Sequence, residues 1–156
     1  MFNNRQDAGK QLAFLLEKKL LASDREIKRN DIFVLSLLRG GIVIGEEIAK
    51  KLKCNHLPLV VAKVHSPHNE ELAIGAVCYD DVYLETEVLR NLHLSSLDIR
   101  GEIGNAKRKF RQYVRRFGIR KSIFTKLRQK ISIIVDDGIA TGSSLKAAVL
   151  FTASKK

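Results

Sequence analysis

The chain has 156 residues, a formal net charge of +11 and 45% hydrophobic residues. This length suits one domain with a buried core, and no apolar run is long enough to cross a membrane. Residues 1–10 contain no apolar segment of the kind that a secretory signal requires, and Cys54 and Cys78 are too few for a disulfide framework or a metal cluster. These features argue against the membrane and disulfide-rich secreted classes, and they predict a cytoplasmic protein with a single domain over residues 1–156.

The positive charge lies in one segment of the chain. Residues 100–130 contain 12 Lys and Arg residues and one acidic residue, Glu102, whereas the remainder has equal numbers of basic and acidic residues. A local basic segment suits a small polyanionic ligand as well as a nucleic acid. No stacking aromatic residues are interleaved on the basic face, so a solvated helix face is the simplest interpretation. We therefore do not expect nucleic acid as a partner, although RNA contact through this segment stays open as an alternative.

The first part of the sequence predicts a strand–helix–strand unit. Apolar residues at helical spacing predict an amphipathic helix over residues 7–21. The apolar run 32–38 predicts a buried strand that ends at the glycine turn 39–41. A helix over 44–53 then leads to a second strand at 57–64. Two strands joined by a helix at this spacing are typical of a parallel sheet.

A hairpin and a long helix are predicted in the middle of the chain. Residues 72–84 contain two short β-favouring runs joined by a turn at residues 80–81. The strongest helical stripe of apolar residues covers 99–117, and Gly118 is placed to end this helix. The residues from Ser95 to Asp98 have the spacing of a capping box, which predicts where the helix begins.

The last part of the sequence completes the prediction of the fold. Residues 131–135 predict a buried strand, and residues 143–151 predict a helix. Together with the first strand–helix–strand unit, they predict an α/β fold with a Rossmann-like parallel sheet flanked by helices. The glycine turns at 39–41 and 138–142 both follow strands directly. Because ligands of such sheets bind at the carboxyl ends of the strands, we expect both turns at one sheet edge.

Residues 138–144 have the composition of a phosphate-binding loop. Small residues let backbone N–H groups approach an oxyanion, hydroxyl side chains add donors, and the N-terminus of the following helix favours negative charge. The residues of this loop are Gly138, Ile139, Ala140, Thr141, Gly142, Ser143 and Ser144. The lysine of a Walker A motif is absent, so the segment does not match that motif.

Asp136 and Asp137 stand directly before this loop and need a different partner. Carboxylates repel a phosphate, but they accept hydrogen bonds from neutral hydroxyls and help to bind Mg²⁺. A sugar phosphate satisfies both halves of the segment, with hydroxyls toward the aspartates and phosphate in the loop. The alternative is a solvated turn in which Asp forms the turn and Ser caps a helix. The β-favouring run before the aspartates and the T-G-S-S after them favour the ligand site.

Three segments resemble the type I phosphoribosyltransferase family. Residues 131–144 resemble its phosphoribosyl pyrophosphate signature, with an apolar strand, two acidic residues and a small-residue loop. Residues 38–41 resemble the pyrophosphate loop of the family. Residues 71–76, which follow Lys63, resemble the mobile-loop region of a bacterial subgroup. The resemblance covers about residues 2–150.

The resemblance implies a Mg²⁺-dependent transferase. Members of the family displace pyrophosphate from ribose C1, with inversion, by a nitrogen atom of a small acceptor such as a nucleobase. By matched position, Asp136 and Asp137 would bind the ribose 2- and 3-hydroxyls and help to hold Mg²⁺, and residues 138–144 would hold the 5-phosphate. The family also implies pyrophosphate and phosphate contacts outside that loop, from Arg39, Gly40, Gly41 and Lys63. The resemblance also implies catalytic roles for Asp136, Asp137 and Arg39. A mobile loop over residues 65–76 would close over the site and exclude water.

The sequence departs from the family pattern at three places. Leu38 stands where the subgroup usually has proline, and Ala62 stands where it usually has arginine. Family members continue after the signature helix with another core strand and often a hood over the base, whereas this sequence ends at Lys156. We therefore expect the C-terminal part of the fold to be missing and an exposed sheet surface to favour self-association, most simply as a homodimer. Two alternatives stay open: a sensor of phosphoribosyl pyrophosphate or a nucleotide that contacts RNA, and an inactive remnant.

Overall fold

The computed structural model describes residues 2–23 and 26–155, which group into two compact units. Unit 1 contains the described residues up to Leu59 and residues 124–138, and unit 2 contains residues 60–123 and 139–155. The helices and strands are α1 (Arg5–Leu21), β1 (Ile32–Leu37), α2 (Gly41–Leu52), β2 (Asn55–Leu59), β3 (Ala62–Ser66), β4 (Asn69–Cys78), β5 (Asp81–Leu84), α3 (Thr86–Leu92), α4 (Ser96–Phe117), β6 (Ile131–Val135) and α5 (Ser143–Ala153). Two short 3-10 helices cover Arg29–Asp31 and Lys121–Leu127.

Unit 1 is built on a parallel sheet with the strand order β2–β1–β6. β1 lies in the middle, and its Ser36 is paired with Pro58 on one side and Val135 on the other. Every residue of β1 is buried, which is why its sequence is a continuous apolar run and does not alternate. The predicted strand–helix–strand unit and the parallel sheet flanked by helices are both confirmed.

The helices of unit 1 form two layers over this sheet. α2 packs on the strands and α1 packs on α2. The buried core between these layers contains Ala13 of α1, Ile44 and Ile48 of α2, and Val34 and Val135 of the strands. Burial of such side chains contributes about 1.5–3 kcal/mol for each large aliphatic residue, so this core is the main source of stability in unit 1.

The start of α1 is fixed by a cap and by a close contact between helices. The side chain of Asn4 accepts a hydrogen bond of 2.9 Å from the backbone N–H of Asp7, which caps the helix. Further along, a Cβ atom at Gly9 would lie 2.8 Å from Cβ of Glu47 and 2.9 Å from the carbonyl oxygen of Ile44. α1 can therefore approach α2 this closely only because residue 9 has no side chain.

Unit 2 is built on an antiparallel sheet with the strand order β3–β4–β5. α4 packs on β3, and α5 packs on β4 and β5. Tyr79, in the turn between β4 and β5, contacts both helices. Its ring centroid lies 5.0 Å from that of Phe110 in α4 and 4.7 Å from that of Phe151 in α5. Aromatic pairs in such arrangements add to the free energy of burial, so this cluster holds the hairpin between the two helices.

Most of the predicted elements are confirmed with shifted ends. The helices predicted over 7–21, 44–53 and 143–151 are α1, α2 and α5. β4 and β5 form the predicted hairpin, although β4 begins earlier, at Asn69. The capping box at the start of α4 is present, and the left-handed residue after α4 is glycine 118, with φ of 65°. Within the described part of the chain, no helix combines the length and the apolar character needed to span a bilayer.

The single strand predicted over residues 57–64 is wrong. β2 ends at Leu59, and the chain enters β3 at Ala62, which belongs to the antiparallel sheet of unit 2. Val60 and Val64 are both fully buried, so the apolar run continues while the chain changes sheets. Hydrophobicity alone does not show where one strand ends and another begins. α3 was not predicted, because it contains no buried residue and therefore no apolar stripe.

Candidate active site

Two neighbouring strands of unit 1 end at the same edge of the parallel sheet. Ser36 of β1 is paired with Val135 of β6, and both strands run in the same direction. The turn at residues 39–41 therefore begins beside Asp136 and Asp137. The expectation that this turn and the acid pair share a sheet edge is confirmed. Residues 139–142 of the second glycine turn belong to unit 2, and their placement at this edge stays a prediction.

The two glycines of the turn lie directly against the end of β6. A Cβ atom at Gly40 would lie 1.8 Å from Oδ2 of Asp137, and a Cβ atom at Gly41 would lie 2.7 Å from the carbonyl oxygen of Val135. Any side chain at these positions would displace the strand end or the carboxylate. α2 begins at Gly41, so backbone N–H groups of its first turn are also at this edge. The glycines thus give the site its close packing, in addition to any role in ligand contact.

Asp137 is held by a residue that the sequence analysis missed. Arg5, the first residue of α1, donates two hydrogen bonds to Oδ2 of Asp137, from Nε at 2.9 Å and from Nη2 at 2.6 Å. The hydrogen bond from Arg5 holds the pKa of Asp137 below its ordinary value, against the opposing effect of burial. The side chain of Asp137 is 30% exposed, so the carboxylate is still reachable from solvent. Its backbone N–H donates to Oδ1 of Asp136 at 2.9 Å.

Arg39 contributes a second cation to this edge. Its side chain is exposed, and within residues 2–23 and 26–155 its guanidinium has neither an ion pair nor a hydrogen bond. A guanidinium has five N–H donors in a planar arrangement that suits phosphate oxygens. Arg5 and Arg39 together balance the charges of Asp136 and Asp137. The edge can therefore accept a ligand that has both hydroxyl groups and negative charges.

The predicted phosphate loop has its own hydrogen-bond network within unit 2. The hydroxyls of Thr141 and Ser143 lie 2.9 Å apart, and the Ser143 hydroxyl donates to Oε1 of Glu85 at 3.0 Å. Ser143 is only 1% exposed. Its hydroxyl proton is directed at Glu85, and its backbone N–H donates to Oγ1 of Thr141 at 3.4 Å. The predicted phosphate contact of Ser143 stays a prediction. Gly142, with φ of 78°, precedes α5 in a left-handed conformation that suits glycine.

Glu85 is the acceptor at the centre of this network, and sequence analysis did not single it out. Lys146 donates to both of its oxygens, at 2.9 and 3.0 Å, and the hydroxyl of Tyr83 donates to Oε2 at 3.0 Å. Burial raises the pKa of Glu85, but the hydrogen bonds from Lys146, Tyr83 and Ser143 outweigh it, so the net pKa is below its ordinary value. The result is an ionised carboxylate that fixes the start of α5.

Lys63 is exposed on β3 and lines a separate polar cavity of unit 2. This cavity has a volume of about 380 Å³ and lies between the β3–β4 hairpin and α4. Its other walls include His65 and Glu102. The structure therefore places Lys63 in unit 2, whereas Arg39 and Asp137 belong to unit 1. Its predicted phosphate contact stays a prediction.

The acid pair offers two carboxylates for a metal ion. No group of three or more His, Cys, Asp or Glu side chains suited to a metal occurs in the described ranges. Mg²⁺ commonly takes only one or two protein carboxylates and completes its octahedron with water and substrate phosphates. Oxygen donors from Asp136 and Asp137 fit this pattern, and the two hydrogen bonds of Arg5 occupy only Oδ2 of Asp137. The donor set therefore fits a Mg²⁺ that arrives with a phosphate ligand.

Comparison with known proteins identifies relatives over most of the chain. The sequence model of the family described as "Phosphoribosyl transferase domain" matches residues 4–155. Two proteins from Mycobacterium tuberculosis, strains CDC 1551 and H37Rv, carry a provisional name as phosphoribosyl transferases. Each is 36% identical over 149 residues, which is 95% of this chain and 32% of the relative. The chain thus spans about a third of the length of these curated relatives.

A solved structure supports the same assignment of the fold. The crystal structure of TT1426 from Thermus thermophilus aligns with a TM-score of 0.66 and 28% sequence identity. The alignment covers 99% of this chain and 69% of that protein. The arrangement of strands and helices described above is therefore that of a known fold.

Proposed function

Because the chain belongs to the family of phosphoribosyl transferase domains, we propose that it transfers a phosphoribosyl group from phosphoribosyl pyrophosphate to a small nitrogenous acceptor. One observation carries the proposal: the turn at residues 39–41 and the pair of Asp136 and Asp137 leave adjacent parallel strands at one edge. This edge offers donors for an anion beside acceptors for sugar hydroxyls. The M. tuberculosis relatives, which carry a phosphoribosyl transferase name, support the same class of reaction.

Each part of the ligand has a proposed partner. The ribose 2- and 3-hydroxyls would donate to the carboxylates of Asp136 and Asp137, and Oδ1 of Asp137 accepts no bond from Arg5. The pyrophosphate would take donors from the guanidinium of Arg39 and from the backbone at Gly40 and Gly41. The 5-phosphate would bind the loop of residues 138–144, which follows Asp137 directly in the sequence. Lys63 is proposed as an additional phosphate contact.

The proposed reaction exchanges one bond at ribose C1 for another. A nitrogen atom of the acceptor forms a bond to C1 while the bond from C1 to the pyrophosphate oxygen breaks, and pyrophosphate leaves with the electron pair. The acceptor nitrogen then loses its proton to water. Charge on the departing group grows in the transition state, so donors such as the Arg39 guanidinium contribute more than a strong base would. Asp136 and Asp137 would hold a Mg²⁺ ion, and this ion would supply further neutralisation of the pyrophosphate charge.

The test of this proposal compares two Asp-Asp pairs in the same chain. Titration calorimetry with phosphoribosyl pyrophosphate and MgCl₂ should give an affinity that Asp137→Asn lowers about 10- to 100-fold, the equivalent of lost hydrogen bonds to a charged group. Asp80→Asn is the matched control, because Asp80 stands in a hairpin turn and pairs with Lys121. Equal affinities for wild type and Asp137→Asn would contradict the proposed ribose contact.

A measurement of turnover distinguishes the proposed transferase from the sensor and from the inactive remnant. Release of pyrophosphate in the presence of a panel of nucleobases would support the proposed transferase activity. Mg²⁺-dependent binding without release would favour a sensor, and absence of binding would favour an inactive remnant. The same panel would identify the acceptor.

A second candidate function rests on the surface of α4. Five basic residues at helical spacing share one exposed face, and none of them has a carboxylate partner within residues 2–23 and 26–155. They are Arg100, Lys107, Arg108, Arg111 and Arg115. This face favours a sensor that contacts the phosphates of RNA. Salt-dependent RNA binding that is lost on neutralising Arg111 and Arg115 would support it, and binding without salt dependence would contradict it.

A further inference from the structure

Arg5 is the residue at the candidate site whose role the family signature does not supply. It lies far from residues 136–144 in the sequence, and yet its guanidinium contacts Asp137 through two donors. Both hydrogen bonds end on the same oxygen, Oδ2, at 2.9 Å from Nε and 2.6 Å from Nη2. The carboxylate is thereby fixed in one orientation while Oδ1 accepts nothing from Arg5.

The contact between Arg5 and Asp137 depends on the packing of α1. Arg5 is the first residue of α1, directly after the capping residue Asn4. α1 packs closely on α2 at Gly9, where a Cβ atom would lie 2.9 Å from the carbonyl oxygen of Ile44. On the other side, the absence of a side chain at Gly40 leaves room for the Asp137 carboxylate. Close packing that only glycine permits therefore occurs both in the helix that carries Arg5 and beside the Asp137 carboxylate.

A purely stabilising role accounts poorly for this arrangement. The side chain of Arg5 is 60% exposed, and exposed ion pairs contribute little to the stability of a folded protein. Three N–H donors of the guanidinium are not used by Asp137, since Nε supplies one bond and Nη2 another. A cation that binds one oxygen of this carboxylate leaves the other oxygen for a hydroxyl and offsets the negative charge beside a diphosphate.

We propose that Arg5 is a positioning residue of the substrate site: it orients the Asp137 carboxylate so that Oδ1 meets a ribose hydroxyl, and it neutralises that carboxylate so that a sugar diphosphate can bind beside it. This inference rests on the proposed function of the same edge. It extends the site to the start of α1 and defines the ligand class as a sugar whose vicinal hydroxyls lie next to an anionic leaving group.

The experiment uses binding, so it does not depend on knowledge of the acceptor. Titration calorimetry on the full chain measures the affinity for phosphoribosyl pyrophosphate with MgCl₂, and separately for ribose 5-phosphate. The variants are Arg5→Ala, Arg5→Lys and the matched control Lys10→Ala, which removes a positive charge from an exposed position of α1. Thermal melting of each variant checks the fold.

We expect Arg5→Ala to weaken the binding of both ligands about tenfold or more, as the loss of a charge-assisted contact does. Arg5→Lys should restore part of the loss, because lysine returns the charge without the planar pair of donors. Lys10→Ala should bind as wild type does. When Asp137→Asn is already present, adding Arg5→Ala should cost little further affinity, because Arg5 acts through Asp137.

Each contrary result has a distinct meaning. If wild type binds phosphoribosyl pyrophosphate and Arg5→Ala binds it equally well or more tightly, the role of Arg5 is overturned and the proposed function stands. Full additivity of Arg5→Ala and Asp137→Asn overturns the action through Asp137. Absence of binding by wild type overturns the proposed function, and the inference about Arg5 with it. A lower melting temperature with unchanged affinity shows that the contact only stabilises the fold, and it also overturns the proposal.

Discussion

The chain contains the Asp-Asp pair twice, and the two copies lie in different environments. Asp80 and Asp81 belong to the β4–β5 hairpin, where the side chain of Asp80 is 72% exposed and pairs with Lys121. Asp136 and Asp137 follow a strand of a parallel sheet, and the side chain of Asp137 is only 30% exposed, with Arg5 bound to it. Side-chain chemistry is the same in both places, so the difference in expected function comes from where the strands end.

The residue before each pair sharpens the contrast. Tyr79 precedes the hairpin pair with a φ of 53°, and its ring packs against Phe110 and Phe151. Val135 precedes the other pair and is a strand residue of the parallel sheet. The hairpin pair thus stands beside a structural aromatic cluster, whereas the other pair stands beside a glycine turn that packs directly against it. Variants in the two regions should therefore affect different properties.

The largest expected effect is on the stability of unit 2. Tyr79→Ala removes the ring between α4 and α5, and loss of a packed aromatic side chain costs about 3 kcal/mol or more. Thermal or urea unfolding should show this loss, while the affinity of the folded protein for phosphoribosyl pyrophosphate should change much less than in Asp137→Asn. A stability equal to that of wild type would show that the cluster is not needed for the hairpin.

A substitution at Gly40, which packs against Asp137, should have the next largest effect. In Gly40→Ala the new Cβ would lie 1.8 Å from Oδ2 of Asp137, so the carboxylate must turn away from Arg5. We expect a stability loss of about 1–3 kcal/mol from overpacking, together with strongly reduced binding of phosphoribosyl pyrophosphate. Calorimetry and unfolding measure the two effects.

The matched control for this substitution is another glycine that has free space. Gly101→Ala in α4 places its Cβ with nothing within 4 Å, so we expect a gain in stability of about 0.5–1 kcal/mol from helix propensity. Binding should be unaffected. If Gly40→Ala and Gly101→Ala behaved alike, the close packing of the turn against Asp137 would be irrelevant to the site.

A smaller effect is expected at the start of α5. Glu85→Gln keeps the size of the side chain but weakens its bonds with Ser143 and Lys146, which should cost about 1 kcal/mol in unfolding free energy. The loosened loop should also bind phosphate ligands less tightly, whether ribose 5-phosphate or phosphoribosyl pyrophosphate. Unchanged affinity for both ligands would mean that this network supports the fold without shaping the phosphate loop.

The smallest effect is the pH dependence of the ion pair between Arg5 and Asp137. The pKa of Asp137 is lowered from its ordinary value of 3.8, so its contribution to stability is present above that pH and is lost as the pH falls through the lowered pKa. Arg5→Ala should therefore be less stable than wild type at neutral pH by no more than about 1 kcal/mol. Melting curves should show the difference shrinking below about pH 4. A difference that grows in acid would contradict the assigned cause of the shift.

Local patterns in the sequence were sufficient for much of the fold. The apolar run of β1, the capping box before α4 and the glycine after it are local signals, and each predicted its element correctly. The shared edge of the Arg39 turn and Asp137 also followed, because parallel strands end on the same side of a sheet. These features depend on residues close together in the chain or on a general rule of topology.

The same local patterns did not predict the long-range contacts. Arg5 meets Asp137 only because α1 packs over α2, and nothing in the N-terminal segment alone indicates that partner. The hydroxyl of Ser143 was expected to donate to a ligand, and the structure shows that it donates a hydrogen bond to Glu85. The change of sheets after Leu59 leaves no mark in hydrophobicity, since Leu59 and Val60 before β3 and Val64 within it are all fully buried. Each of these depends on residues that only tertiary structure brings together.

The strand order of unit 1 has a consequence for synthesis on the ribosome. β1 and β2 emerge early, but β6, which covers the other edge of β1, is made only after all of residues 60–123. During that interval the backbone N–H and C=O groups on one edge of β1 have no partner strand from its own sheet, and unpaired strand edges of incomplete domains promote aggregation. Nascent chains that stop before Ile131 should therefore need chaperones more than chains released after Val135.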